Sequence, residues 1–177
     1  LFSTHLLSTL DIVRDDSSDS LTSHGRALAT LPDFGSLAMS KAVLAALVDY
    51  NCGRDLIYLS CTLGVLNTTT IFKSIPHNLK STDGDFMTLL KVMNVVLLIK
   101  QSVPQAQFDV ARVCQEKGLG AIQHIIRQAT RRYDTLEKLF SLSKDYRDKA
   151  QVTSNNWQYV ARALPEGHSA NVFRSMR

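Results

Sequence analysis

Four basic side chains recur along GAIQHIIRQATRRYDTLEKLF (residues 120–140) at spacings that could gather phosphates: His124, Arg127, Arg131 and Lys138. A helix advancing about 100° per residue from Ile122 would put them between about 140° and 200° from that residue. On the same wheel Ile125, Ile126, Ala129, Tyr133, Leu136 and Phe140 fall within about 60° of Ile122, so they form a core face opposite a basic stripe. Arg132 lies beside the stripe. Arg127 and Arg131 stand one helical turn apart, where like charges destabilise a helix unless an anion lies between them. Only Asp134 and Glu137 offer partial relief. A phosphate would answer that repulsion; so would a solvated face with internal salt bridges.

Other chemistry finds no support in the residue pattern. There is no GxxxxGK[ST] phosphate loop, no GxGxxG and no GxSxG nucleophile elbow. His5, His24, His77, His124 and His168 are scattered, and none pairs with another or with a cysteine at zinc-ligand spacing. Asp83-Gly84-Asp85 hints at a calcium loop. The position for the bidentate glutamate holds Asn94, however, and Thr88 stands where the sharp-turn glycine belongs. The sequence thus offers neither catalytic residues nor metal ligands.

The elements expected to position the stripe are helical. HLLSTLDIV (5–13) predicts a short helix and RDDSSDS (14–20) an exposed loop. In LTSHGRALATLP (21–32), Thr22 can cap a helix that Pro32 cannot continue. LAMSKAVLAALVDY (37–50) predicts a buried helix, interrupted from Asn51 to Gly53. RDLIYLSCTLGVL (54–66) is read as helix on length, with strand as its rival. Asp83-Gly84-Asp85 is read as an N-cap for the long apolar FMTLLKVMNVVLLIKQ (86–101). Pro104 is expected to open a helix that runs through Val110, Val113 and Cys114 and stops at Gly118. The tail NNWQYVARALPEGHSANVFRSMR (155–177) alternates at Tyr159 and Ala161 and at Val172, Arg174 and Met176, which predicts short strands.

Composition bounds the rest. With 45% hydrophobic and 20% charged residues among 177, the chain should bury a core and has room for more than one compact unit. Its basic character is C-terminal. Residues 1–104 carry eight Lys and Arg against nine Asp and Glu, and residues 105–177 carry twelve against seven. Such asymmetry suits a polyanionic partner as well as a plain solvated surface. The longest apolar run is far short of the roughly 20 residues that span a bilayer, and the first residues lack the features of a secretory signal. Cys52, Cys61 and Cys114, odd in number and widely spaced, suit buried thiols in a reducing, intracellular compartment, nuclear or cytoplasmic. The sequon Asn67-Thr68-Thr69 would matter only after secretion. Beginning at Leu1 with no initiating Met, the chain is expected to be a piece of something longer.

Taken in order, LTSHGRALATLP, LAMSKAVLAAL, CGRDLIYLSCTLGV, DGDFMTLLKVMNVV and FDVARVCQEKGLGAIQHIIRQATRRYDTLEKLF resemble the C-terminal helicase-associated region of DEAH-box and related RNA helicases. Five such landmarks are more specific together than any one alone. The sequence departs from the family pattern at Asp11, Phe86, Lys91 and Met93, as a divergent branch would. The resemblance implies a mainly α fold: the end of a winged-helix module (1–35), a ratchet-like helical bundle (36–150), and the opening strands of an oligonucleotide-binding β-barrel (151–177).

By the same resemblance, the chain would be an accessory region that helps close a channel around single-stranded RNA beside motor domains that bind ATP and Mg and are absent here. No cofactor is expected in the chain itself. The implied partners are single-stranded RNA, the parent's own motor domains and a regulatory protein, with no membrane. The helical wheel nominates Arg127, Arg131 and Lys138 as phosphate-binding residues, with Arg132 and His124 as flanks. The alternative is a protein-interaction or regulatory module of a divergent or inactive helicase relative, docking partner proteins rather than RNA. A free-standing helical enzyme is disfavoured because no nucleophile, base or metal constellation is present.

Overall fold

A computed structural model describes residues 21–66, 69–154 and 156–167, so the expected helix at 5–13, the loop at 14–20, the sequon's first two residues and the tail beyond 167 lie outside the described residues. The described part holds seven α-helices and no β-strand, joined by short 3₁₀ turns. These are α1 (Ser23–Ala29), α2 (Leu37–Val48), α3 (Gly53–Leu63), α4 (Asp85–Ser102), α5 (Val110–Glu116), α6 (Gln123–Leu142) and α7 (Trp157–Gly167). The fold is mainly α.

Local chemistry accounts for most of the boundaries. The free N–H of Gly25 donates to Thr22 Oγ1 at 2.9 Å, that of Met39 to Ser36 Oγ at 3.1 Å, and that of Ala111 to Asp109 Oδ1 at 2.9 Å. Each such cap is worth about 1 kcal/mol. Asn51, at φ 49°, turns the chain between α2 and α3, and short polar side chains tolerate that left-handed conformation. Gly118, at φ 69°, ends the segment after α5.

Two expected starts differ from the structure. Asp83 does not cap α4: Gly84 occupies that position with φ 107°, and Asp85 stands in the first turn, where its charge still meets the helix dipole. The Asp83 N–H instead binds Ser81 Oγ at 3.2 Å, closing a local turn. Pro104 precedes only a 3₁₀ turn, Gln105–Gln107, and α5 begins after the Asp109 cap.

The tail corrects the expectation of strands. Residues 157–167 form α7, whose buried positions Val160, Ala163, Leu164 and Gly167 follow the helical i, i+3, i+4, i+7 spacing. The alternation at Tyr159 and Ala161 is incidental to that pattern, and both residues are exposed. Val172, Arg174 and Met176 lie outside the described residues.

The described residues divide into two compact units, one formed by those up to residue 56 together with those from 143 onward, the other by those between 57 and 142. In the first, α7 packs along α2. A Cβ on Gly167 would fall 2.7 Å from the carbonyl carbon of Ala38 and 3.0 Å from the amide nitrogen of Ala42, so only glycine permits this approach. The start of α3 is tied to the segment before α7: the Arg54 N–H donates to the Val152 carbonyl at 3.0 Å and the Ser154 N–H to Asp55 Oδ2 at 2.7 Å. Burial pushes the Asp55 carboxyl up to about 6, partly offset by the Ser154 bond and the Arg54 charge.

In the second unit the core includes Leu59 of α3, Leu89, Met93, Val96 and Leu97 of α4, Leu119, and Ile126 and Phe140 of α6, all buried. Tyr58 and Tyr133 meet edge to face, with ring centroids 4.9 Å apart at 79°. The three cysteines are free and buried. Burial pushes the Cys52 and Cys61 thiols up to about 12 and raises that of Cys114. No described helix is long and apolar enough to cross a membrane.

Candidate nucleic-acid interface

The site is built on α6, the longest described helix. Its core face is the one the wheel nominates: Ile125, Ile126, Ala129, Tyr133, Leu136 and Phe140 are all buried. Burying side chains of this size stabilises by about 1.5–3 kcal/mol each, which fixes the rotation of the helix and so decides which residues face outward. His124, Arg127, Arg131 and Lys138 are exposed.

Arg127 and Arg131 line one shallow depression of about 330 Å³, shared with Lys100 and Gln105 from the end of α4 and the turn after it, with Phe108 and Asp109, and with Asp134. Lys138 lines a neighbouring depression of about 300 Å³, together with Leu97, Tyr133 and Glu137. Lys100, Gln105 and Asp134 border both. His124 lines neither.

Arg132 is set apart from the stripe. It is half-buried, and its guanidinium packs on Gly64 just beyond α3, where a Cβ would come 3.0 Å from Nη1 and 3.1 Å from Cζ. That position puts a cation at a helix C-terminus, where exposed carbonyls carry partial negative charge.

The two carboxylates expected to relieve Arg127 and Arg131 are engaged elsewhere. Asp134 forms a close ion pair with Lys100 Nζ, and Glu137 Oε1 accepts from the Tyr133 hydroxyl at 3.1 Å. Neither Arg127 nor Arg131 forms an ion pair with a described residue, so two guanidinium groups stand one turn apart in water with their repulsion uncompensated by direct contact. Arginine presents a planar fork of donors that matches phosphate oxygens, which makes such a pair suited to a phosphodiester backbone.

Lys100 and Phe108 are the members of this face that the sequence did not nominate. Lys100 Nζ lies 5.8 Å from the centroid of the Phe108 ring. Nothing in the sequence joins Lys100 to Asp134, 34 residues away; the only available signal was a charge near the end of a mostly apolar helix. Among the described residues no three His, Cys, Asp or Glu side chains gather to hold a metal ion. Neither a family model nor a curated protein matches this chain.

Proposed function

We propose that this chain is the accessory region of an ATP-dependent RNA helicase, with a winged-helix remnant and a ratchet-like bundle, and that α6 holds the phosphate backbone of single-stranded RNA. The observation that carries the reading is the pair Arg127 and Arg131, exposed one turn apart beside a depression and without an ion-pair partner among the described residues. Contacts of this kind grip phosphates without reading bases, as a sequence-independent translocase requires. Lys138 extends the track along the helix, His124 flanks it, and Arg132 serves the bundle's own packing. ATP hydrolysis, with its Mg, belongs to motor domains outside this chain.

The test is fluorescence anisotropy of a labelled single-stranded oligouridylate titrated with the chain at several salt concentrations. Binding should be weak and should fall steeply as salt rises, since neutralised phosphates release counterions. Arg127→Glu with Arg131→Glu should abolish it. Unchanged titration of that double variant would remove the stripe from the interface.

A second reading, a module that docks a regulatory protein or the parent's motors, draws on Leu139 and Leu142, which are 47% and 78% exposed at the end of α6. Capture of the motor domains that survives the charge reversal but fails in Leu139→Asp with Leu142→Asp would favour it.

A further inference from the structure

We infer that the depression beside Arg127 and Arg131 is a three-cation phosphate seat whose third member, Lys100, is held in reserve by Asp134. The inference rests on the phosphate-binding reading above and adds to it a residue on a different helix and a carboxylate that opposes binding.

Lys100 sits on α4 and Asp134 on α6, and both border the depression that the two arginines line. The Lys100 side chain is 18% exposed and that of Asp134 38%, so the ammonium is mostly covered while the carboxylate remains open to solvent. Phe108 lies beneath the ammonium, its ring centroid 5.8 Å from Nζ. Asp109, also on the border, has one oxygen occupied by the Ala111 N–H that it caps. The depression therefore holds three cations and two carboxylates, and one carboxylate is bound directly to one of the cations.

A partly exposed ion pair contributes little net stability, because water competes for the open Asp134 carboxylate. A phosphate seated between Arg127 and Arg131 would bring anionic oxygens to the same depression. It would repel Asp134 and attract Lys100, so the ammonium exchanges one oxyanion for another. Asp134 then acts as a competing internal ligand. It keeps the seat from closing on weak anions and lowers the affinity for any single phosphate, a useful property where a strand must be released and gripped again.

The experiment uses the 177-residue chain and the same oligouridylate. Asp134→Asn should bind about 1.5-fold to fivefold more tightly at low salt, and the slope of log affinity against log salt should steepen by about 0.7, the value for one added contact to a single strand. Lys100→Gln in the Asp134→Asn background should return both quantities to the wild-type values. Unchanged affinity and slope in Asp134→Asn would overturn the inference, as would a gain that persists without Lys100.

A second measurement does not depend on RNA. Inorganic pyrophosphate added to the wild-type chain should shift the NMR signals of Lys100 and Asp134 together with those of Arg127 and Arg131. Shifts confined to the two arginines would overturn the role of Lys100 while leaving the RNA reading intact. A full pyrophosphate response in a chain that does not bind oligouridylate would support the seat and overturn the RNA reading. Tighter binding to polyglutamate than to oligouridylate would overturn the phosphate assignment in favour of an acidic protein segment.

Discussion

Replacing Gly167 by alanine tests the feature in which the structure departs most from the strand expectation, the docking of α7 on α2. The added Cβ would overlap the Ala38 carbonyl oxygen and sit 2.7 Å from the carbonyl carbon, where ordinary contact begins at 3.4 Å. Both obstacles are backbone, so no side-chain rotation relieves them. The end of α7 must lift by about 1 Å or more, and gaps of that size forfeit a quarter to a half of the dispersion attraction between the surfaces that separate. Overpacking of this kind costs about 1–3 kcal/mol. The usual gain of alanine over glycine within a helix, about 1 kcal/mol, only partly offsets it. Because both obstacles are backbone the cost falls at the upper end of that range, about 3 kcal/mol, and the net loss of about 2 kcal/mol should lower Tm by roughly 4–8 °C in a chain of this length. Urea unfolding followed by circular dichroism would measure it, with Gly120→Ala as the control, because a Cβ there meets nothing within 4 Å. Stability equal to or above wild type in Gly167→Ala would refute the close approach of the two helices.

Asp55 makes stability depend on pH. Its folded-state pKa of about 6 lies above the ordinary 3.8, so the folded chain holds that proton more tightly and the charged form costs stability. The cost is absent below about pH 4 and grows as pH rises through about 6. Asp55→Asn should therefore gain on wild type by roughly 1–3 kcal/mol between pH 4 and pH 7.5, read from urea midpoints; a difference independent of pH would contradict this. Phe140→Ala empties a fully buried position on the core face of α6 and should cost about 3–5 kcal/mol in the same assay. The three cysteines, buried with raised pKa values, should react with a thiol reagent only as fast as the chain opens, and rapid labelling of the native chain would contradict their burial.

Where short-range chemistry settles the outcome, the sequence was sufficient. Thr22 caps α1, Gly118 ends the segment after α5, and all six α6 residues that the wheel places on the core face are buried, Thr130 joining them. A cap is satisfied within three residues of itself, and a helical stripe repeats every turn, so neither depends on what packs against it. The exposure of His124, Arg127, Arg131 and Lys138 followed from the same rule.

Three matters depended on residues distant in the chain, and the sequence alone could not resolve them. Residues 157–167 carry both an alternating and a helical pattern; α7 lies on α2, with Gly167 against Ala38, and all four of its buried positions follow the helical spacing. Arg132 reads as part of a basic cluster, yet its guanidinium lies against Gly64 at the end of α3. Asp134 reads as relief for the arginines on its own helix, yet Lys100 of α4 claims it. In each case the local pattern permitted two outcomes, and the choice between them fell to a contact made only when separate helices pack. The sequence by itself therefore determined the helices from α1 to α6 and the outward face of α6, while the tertiary structure decided the helical state of residues 157–167 and which charges on that face remain free to meet a phosphate.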